Sequence, residues 1–256
     1  MAPALLLSHP SMTQMRASPR HVLTEPWDAL VRLYRELEST RWGGLLLSNV
    51  WPAYVFALPL AARIWGMRGR PLPTTLHEQA FYLQEILTIL FLGQVVVLFA
   101  IRRRGLRSQH AGWREGVVAL VGTFLLNVVA YVPVQEATST ALLLTASVIV
   151  MLGTVFSIWS LANLGRNFGI FPEVRGLVRS GPYRLVRHPI YLGEIVSGFG
   201  VILVRPSLLI AAIFVIFVAL QYWRTVFEER ALAEAFPSEY PGYRERVPRL
   251  VPGWRA

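Results

Sequence analysis

Long apolar stretches separated by short arginine-rich stretches constrain this sequence more than any other feature. About 20 apolar residues in a helix span a bilayer, and a lipid-exposed segment must satisfy its backbone hydrogen bonds within itself. The sequence is 54% hydrophobic and 16% charged, which is less charge than the roughly 25% typical of soluble domains. We therefore predict an all-α polytopic membrane protein with six transmembrane helices, at residues 43–65, 79–101, 116–134, 138–162, 190–204 and 207–223.

The fifth predicted span differs from the others because it has only 15 residues. It reaches the far side only where the bilayer thins or where the helix begins before His188. Arg205 and Pro206 alone separate it from the sixth span, and proline is favoured in the first turn of a helix. The two segments are therefore predicted to form a tight helical hairpin.

The arginines are distributed unevenly between the loops. All 25 basic residues are arginine, and 21 of them lie in the N-terminal tail, the loop near residues 102–114, the loop 163–188 and the C-terminal tail. Positively charged loops favour the cytoplasmic side of a membrane. This distribution predicts that both termini are cytoplasmic, in what we expect to be a bacterial inner membrane.

The composition also argues against several other classes of protein. A net charge of +10 is compatible with nucleic-acid binding, but arginines placed between apolar spans are better explained by membrane topology. The chain has no cysteine and its histidines lack metal-ligand spacing, so we expect neither a nucleic-acid partner nor a metal. The Leu5–Leu7 run is too short for a signal peptide. The sequence also lacks the Gly-rich strand-to-helix turn of a Rossmann domain.

We divide the chain into an N-terminal cytoplasmic tail (1–42), a four-helix transmembrane region (43–162) and a C-terminal region with a transmembrane helix hairpin (163–256). In the tail, Trp27, Leu30, Tyr34 and Leu37 follow helical spacing. Residues 24–38 are therefore predicted to form an amphipathic helix in the cytoplasmic interface. The alternative is an ordinary packed helix without lipid contact.

The stretch from Gly176 to Gly193, GLVRSGPYRLVRHPIYLG, has more charge and more proline than a simple loop between spans requires. Pro189 keeps His188 out of ordinary helical geometry and starts the next helix. His188 is therefore predicted at a helix N-terminus near the membrane surface, where backbone N–H groups can receive a carboxylate. The alternative is that His188 only caps this helix.

A second unusual stretch, residues 222–252, begins where the last apolar span ends. Arg224 and Glu228 are four residues apart, so on a helix they share one face, whereas Glu229 points about 100° away. Charge at this depth is costly unless it is hydrated or paired. The simple interpretation is a snorkelling Arg224 in an ion pair with Glu228, with Glu229 as a surface acid. Tyr240 and Tyr243 are expected to pack the tail onto the core.

Together the two stretches resemble the isoprenylcysteine carboxyl methyltransferase family, and phospholipid methyltransferases share a looser version of the pattern. GPY, RHPIY, the Glu228–Glu229 pair and the tyrosine-containing tail occur in one order over residues 164–252, about a third of the chain. The resemblance implies an integral membrane methyltransferase whose cofactor, S-adenosylmethionine, is held by helices and one ordered loop.

The resemblance also implies roles for individual residues. Glu228 suits the cationic end of the cofactor, His188 and nearby amides suit its carboxylate, and Arg224 faces the acceptor, which makes Arg224 and Glu228 the catalytic candidates. The acceptor is lipophilic or small, and a carboxylate, a thiol and an amine all remain open as its reacting group. The implied cofactor-binding residues are Arg175, Gly176, Leu177, Val178, Tyr183, His188, Pro189, Ile190, Tyr191 and Glu228.

Two other functions are compatible with the motifs. Sterol and steroid reductases, which use NADPH, end in a related membrane fold with an RHP-Y signature, and Glu194 after the YLG sequence favours that class. A non-enzymatic membrane protein with a decayed site is the second alternative. Among single residues, Tyr183 and Tyr191 are alternatively aromatic anchors at the interface, and Arg179, Arg184 and Arg187 are interpreted as topology charges.

Overall fold

The computed structural model describes residues 40–102, 113–126, 139–170, 174–203 and 206–253, together with 29–30, 32–33, 36–37 and 129. Every regular element within these residues is helical, which confirms the predicted all-α class. A turn of α-helix and a turn of π-helix, Arg41–Leu45 and Leu46–Val50, lead into the first long helix. The helices are α1 (Trp51–Met67), α2 (Leu76–Ile101), α3 (Trp113–Phe124), α4 (Thr140–Leu164), α5 (Pro189–Leu203), α6 (Leu208–Ala235) and α7 (Tyr240–Arg246).

Local sequence signals start several of these helices. The Thr75 hydroxyl accepts a hydrogen bond from the Glu78 amide at 3.2 Å, and the Glu78 carboxylate accepts one from the Thr75 amide at 3.0 Å, which is a capping box at the start of α2. Ser139 and Ser207 cap α4 and α6 with their hydroxyls. As predicted, α5 begins at Pro189.

Three helices, α2, α4 and α6, are long and apolar enough to cross a membrane, and α5 is apolar but shorter. Large apolar side chains such as Leu152 and Leu208 point outward from these helices, as expected against lipid. The chain is therefore an integral membrane protein, while six spans and cytoplasmic termini stay predictions. The helix predicted at 24–38 and the second half of the span predicted at 116–134 lie largely outside the described residues.

Helices α4 and α5 approach each other closely through glycines. A Cβ on Gly193 would lie 2.7 Å from the Gly153 carbonyl oxygen, and a Cβ on Gly153 would lie 2.5 Å from the Ser197 amide. Small residues allow membrane helices to approach until their backbones touch. This contact fixes α5, and with it the RHPIY sequence, against α4.

Helix α6 extends past the predicted apolar span, which ends at residue 223, and continues to Ala235. Its last three turns therefore carry Arg224, Glu228 and Glu229 on a rigid helix rather than on a tail. Phe99 of α2 packs edge-on against Phe168, which follows α4, with ring centroids 5.1 Å apart. Phe168 lines the same cavity as Arg224 and Glu228 of α6.

Candidate active site

The loop before α5 is held in place by the C-terminal tail. The amides of Arg187 and His188 donate hydrogen bonds to the carbonyls of Pro248 and Arg249, at 2.8 and 3.1 Å. The buried Tyr243 hydroxyl donates to the Tyr183 carbonyl at 2.7 Å, as expected for a tail packed onto the core. These bonds occupy the backbone N–H groups of Arg187 and His188. From the sequence we expected amides near His188 to receive a cofactor carboxylate, and these two amides are already bonded to the tail.

Glu229 is the centre of a buried ionic cluster. Arg249 donates two hydrogen bonds to its carboxylate, at 3.0 and 2.7 Å, and Arg187 Nη1 lies 3.3 Å from it. Only 5% of the Glu229 side chain and 4% of the Arg187 side chain are exposed. Glu229 is therefore not the surface acid of the simple interpretation, and Arg187, interpreted from the sequence as a topology charge, is buried beside it. Through Glu229, Arg187 and Arg249, the ionic cluster joins α6, the loop before α5 and the C-terminal tail.

His188 lies between the two neighbouring glutamates. Its Nε2 atom is 3.2 Å from Glu229 Oε1, and its Nδ1 atom is 3.4 Å from Glu228 Oε2. Burial alone lowers the pKa of His188, but the hydrogen bonds and charges of Glu228 and Glu229 outweigh it, so the pKa is raised. A protonated imidazole can donate to both carboxylates, so His188 orients Glu228 toward the cavity.

Tyr191 completes the contacts of Glu228. Its hydroxyl donates a hydrogen bond to Glu228 Oε1, and its ring stacks on that of His188, with centroids 5.8 Å apart. The Glu228 side chain keeps 27% exposure, whereas Glu229 is buried. Sequence neighbours on one helix therefore have different surroundings: Glu229 is paired inside the protein and Glu228 faces the cavity.

Arg224 lies one turn before Glu228 on α6 and is buried. Its guanidinium carbon is 4.5 Å above the centroid of the Tyr191 ring, a cation–π arrangement. Its Nη1 atom donates to Gln221 Oε1 at 3.0 Å, and the Gln221 amide donates to Glu194. Its Nε atom is buried without a hydrogen-bond partner among the described residues. The predicted ion pair with Glu228 is not among the contacts that the structure gives Arg224.

All of the site residues predicted from the sequence line a single cavity of about 250 Å³. They come from four separate places: the loop before the GPY turn, the turn itself, the first turn of α5, and α6. The residues that the structure brings together are Arg175, Gly176, Leu177, Val178, Tyr183, His188, Pro189, Ile190, Tyr191, Arg224 and Glu228. Their assigned roles stay predictions.

The other wall of this cavity is apolar and comes from the helices that precede the GPY turn. Helices α1 to α4 contribute aromatic and aliphatic side chains, and Phe168 follows α4. The cavity therefore has a polar end near the loop and an apolar side within the membrane helices. The apolar lining includes Phe56, Phe91, Leu92, Val95, Phe124, Leu161 and Leu164.

The polar end fits a ligand such as S-adenosylmethionine, which carries a carboxylate, an ammonium group and a sulfonium. Asn167 Oδ1 and the Tyr240 hydroxyl, both from lining residues, are buried and lack hydrogen-bond partners within the described residues. A Cβ on Gly176 would lie 2.8 Å from Asn167 Oδ1, so a larger residue at position 176 would displace that side-chain amide. Burial and the charge of Glu228 raise the pKa of Tyr183, which keeps its hydroxyl neutral.

Sequence reasoning missed four residues of this site as functional candidates. Glu194 and Gln221 lie on apolar helices, and the signal for them was an isolated polar residue within a membrane span. Asn167 follows α4 in a short 3₁₀ turn, and Arg249 lies 20 residues after its partner Glu229. Nothing in the local sequence around Asn167 or Arg249 indicates these contacts.

Comparison with protein families gives one match, to the phospholipid methyltransferase family over residues 141–239. The match covers α4, the loop, α5 and α6, and it ends before Tyr240. It therefore begins one helix earlier than the motif-bearing region that starts at residue 164. The matched range thus includes both Gly153 and Gly193, the glycines of the α4–α5 contact.

Three curated proteins are similar to parts of the chain. Methanethiol S-methyltransferase 1 of Bradyrhizobium diazoefficiens is 40% identical over 74 residues, 28% of this chain and 25% of that protein. The cobalt-zinc-cadmium resistance protein CzcN of Cupriavidus metallidurans is 37% identical over 114 residues, 43% of this chain and 50% of that protein. The nickel-cobalt-cadmium resistance protein NccN of Alcaligenes xylosoxydans xylosoxydans is 33% identical over 116 residues, 44% of this chain and 51% of that protein.

The chain spans about half the length or less of the curated relatives it matches. Two of them are named for metal resistance, and the described residues contain no group of three or more His, Asp or Glu side chains placed to hold a metal ion. The family match and the methyltransferase relative agree with the ordered motifs of the loop and α6. Over residues 141–239 the chain is therefore similar to the phospholipid methyltransferase family, in agreement with the resemblance of its motifs to the isoprenylcysteine carboxyl methyltransferases.

Proposed function

We propose that the protein is an S-adenosylmethionine-dependent methyltransferase of the membrane, acting at the cytoplasmic face on a lipophilic or small acceptor. One observation carries the proposal: motif residues that are up to 53 positions apart in the sequence line one cavity, whose other wall is apolar and built from membrane helices. The family match and the methanethiol S-methyltransferase relative support methyl transfer as the chemistry.

Each polar residue has a role that follows from its surroundings. Glu228, oriented by His188 and Tyr191, presents a carboxylate to the ammonium or sulfonium of the cofactor. Arg175, buried beside Gly169, brings a positive charge suited to the cofactor's carboxylate. The 3₁₀ turn at Gly181–Arg184 places the buried Tyr183 in the wall between them. The chemistry supplied by bound S-adenosylmethionine is transfer of the methyl group on its sulfonium.

The protein's own contribution is mainly alignment. A methyl transfer requires donor carbon and acceptor atom to meet in line, and holding two reactants in that geometry gives large rate gains. The ionic cluster around Glu229 and the bonds from residues 187 and 188 to the tail keep the polar end rigid. The apolar wall excludes water and receives an apolar acceptor from the bilayer side. The methanethiol relative supports a small apolar acceptor.

Calorimetry on detergent-purified protein tests the cofactor. We expect saturable binding of S-adenosylmethionine, no binding of NADPH, and at least a tenfold loss of affinity in Glu228→Ala, because the cation then loses its carboxylate. Glu239→Ala is the matched control, since Glu239 forms an exposed ion pair with Arg179. Binding of NADPH without binding of S-adenosylmethionine would replace the proposal with the reductase alternative.

Labelling tests the cytoplasmic placement of the site. The chain has no native cysteine, so single cysteines report without background. Ser180→Cys, at the exposed start of the GPY turn, should react only with reagents that reach the cytoplasm, whereas Leu72→Cys, in the exposed loop between α1 and α2, should react from outside. The reverse labelling pattern would place the site on the other side.

A further inference from the structure

Glu194 is a carboxylate inside the cavity for which binding of the methyl donor requires no role. It lies on α5 one turn after Tyr191 and lines the cavity on the side of the membrane helices. The Gln221 side-chain amide donates a hydrogen bond to Glu194 Oε2. Gln221 Oε1 in turn accepts a hydrogen bond from Arg224 Nη1 at 3.0 Å. Gln221 is fully buried and links Glu194 to Arg224, and both of these residues line the cavity.

Carboxylates are rare inside membrane helices and are usually functional there. The bond from Gln221 uses one of about four acceptor positions on the Glu194 carboxylate, which leaves capacity to accept a proton or a further hydrogen bond. Because both ends of the Gln221 amide are engaged, Glu194 is held in one orientation. A fixed carboxylate at a reacting centre has the geometry of a general base.

The charges at this end select the kind of acceptor. A carboxylate acceptor would lie beside the negative charge of Glu194 as well as that of Glu228. An ammonium acceptor would lose its hydration against the apolar wall, and its protonated nitrogen has no lone pair with which to attack the methyl group. A neutral acceptor meets neither obstacle.

We propose that Glu194 accepts the proton of a neutral thiol acceptor that enters along the apolar wall; this inference rests on the proposed methyltransferase function. The S–H bond of the acceptor breaks as an O–H bond forms on Glu194. The sulfur lone pair forms the bond to the donated methyl carbon, the bond from that carbon to the donor sulfur breaks, and its electron pair stays on the donor sulfur. The proton then passes from Glu194 to water.

A thiol fits this site better than a hydroxyl does. Thiols are far stronger acids than aliphatic alcohols (the cysteine thiol ionises at a pKa of about 8.5), so a carboxylate assisted by a neighbouring cation can take the proton. The thiolate is also the stronger nucleophile. Arg224, whose Nε atom is buried and has no partner among the described residues, is placed to stabilise the developing negative charge on sulfur.

The test uses S-adenosylmethionine with a labelled methyl group and three acceptors that share one chain: 1-butanethiol, butanoate and butylamine. The wild-type protein should methylate butanethiol and leave the other two at background. Glu194→Gln should lower kcat for butanethiol about 100-fold, the size of a general-base effect, with KM changed less than about threefold. The loss should shrink as the pH is raised to about 9, where more of the thiol is already ionised.

Two controls separate a catalytic role from a structural one. Glu85→Gln removes a carboxylate of α2 that pairs with Arg63 and does not line the cavity, and it should keep kcat within about twofold. Binding without the cofactor gives a readout other than turnover: butanoate should bind at least fivefold more tightly to Glu194→Gln than to the wild type, because Arg224 then lacks its counter-charge. If Glu194→Gln does not fold, the acceptor selectivity of the wild-type protein alone decides whether the proposal holds.

The outcomes distinguish this inference from the function on which it rests. Wild-type protein that methylates butanoate or butylamine faster than butanethiol keeps the proposed function and overturns the role of Glu194. Full activity of Glu194→Gln at neutral pH overturns it as well. Protein that binds no S-adenosylmethionine overturns the function and this inference together.

Discussion

The N-terminal helices α1 to α3 and the C-terminal helices α4 to α6 differ in how deeply their ion-paired side chains are buried. In the N-terminal half, Arg63 and Glu85 form an ion pair at 2.7 Å whose side chains keep 41% and 17% exposure. In the C-terminal half, Glu229 is almost fully buried and shares its charge with two arginines and a histidine. The Arg63–Glu85 ion pair therefore lies at the surface of the membrane helices, whereas the buried ionic cluster of the second half holds the site together.

The largest effect should come from removing the central carboxylate. Glu229→Gln leaves Arg187 and Arg249 without their shared counter-charge, and breaking a buried ion pair from one side costs about 3 kcal/mol. Thermal unfolding in detergent should show this loss, together with weaker S-adenosylmethionine binding. Glu85→Gln is the matched variant from the other half, and its cost should stay below about 1 kcal/mol. Equal costs would remove the distinction between the halves.

A somewhat smaller effect should come from the α4–α5 contact. A Cβ on Gly193 would lie 2.2 Å from the Ser157 hydroxyl and 2.7 Å from the Gly153 carbonyl oxygen, so Gly193→Ala must push the helices apart. Overpacking of this kind costs about 2 kcal/mol, and the shift moves Tyr191 and Glu194 as well. The measurements are thermal unfolding and methyl transfer.

Gly93→Ala on α2 is the control for that substitution. A Cβ there would meet nothing within 4 Å, so alanine should be neutral or stabilising by up to about 1 kcal/mol, because glycine costs more backbone entropy in a helix. A loss in Gly93→Ala as large as that in Gly193→Ala would show that close helix packing is not particular to the C-terminal half.

The helical membrane fold, and the motif residues that share one cavity, were easier to predict from the sequence than the contacts between those residues. Apolar runs identify helices directly, and the order of GPY, RHPIY and the glutamate pair identified residues that the structure brings together. The difference between Glu228 and Glu229 was not predictable in the same way. It depends on Arg249, which reaches Glu229 only because the tail folds back onto the loop.

The residues of the apolar wall could not be predicted from the sequence, for a related reason. Phe56, Phe91 and Phe124 come from three helices, and each side chain alone is an ordinary residue of a membrane span. Which apolar side chains line a cavity, and which face lipid, is decided by the rotation of each helix against its neighbours. A single sequence with uniformly apolar spans does not encode that rotation in its periodicity.

The apolar wall gives the next prediction. Phe91→Ala should raise KM for an apolar acceptor about fivefold and leave the affinity for S-adenosylmethionine within about twofold, since truncation removes apolar contact with the acceptor only. Leu90→Ala, an exposed neighbour that does not line the cavity, is the control and should change neither. A weaker S-adenosylmethionine affinity in Phe91→Ala would mean that the cofactor, rather than the acceptor, occupies the apolar side.

The smallest effect should be a pH dependence of the free energy of unfolding that comes from His188 in the C-terminal half. Glu228 and Glu229 outweigh the burial of His188 and raise its folded-state pKa above its unfolded value. The stability from the protonated ring is therefore fully present below the ordinary imidazole pKa and is lost as the pH rises through the raised folded-state value, at about 1.4 kcal/mol for each unit of difference.

Unfolding measured from about pH 6 to about pH 9 should thus show a steeper decline for the wild type than for His188→Gln, which cannot take up the proton. The amide of glutamine still donates a hydrogen bond to one of the two carboxylates, so the variant keeps part of the packing while losing the titration. Parallel curves for the two proteins would show that the imidazole is neutral in the folded state. A neutral ring has a single N–H and can donate to Glu228 or to Glu229 but not to both, so His188 would then orient only one of the two carboxylates.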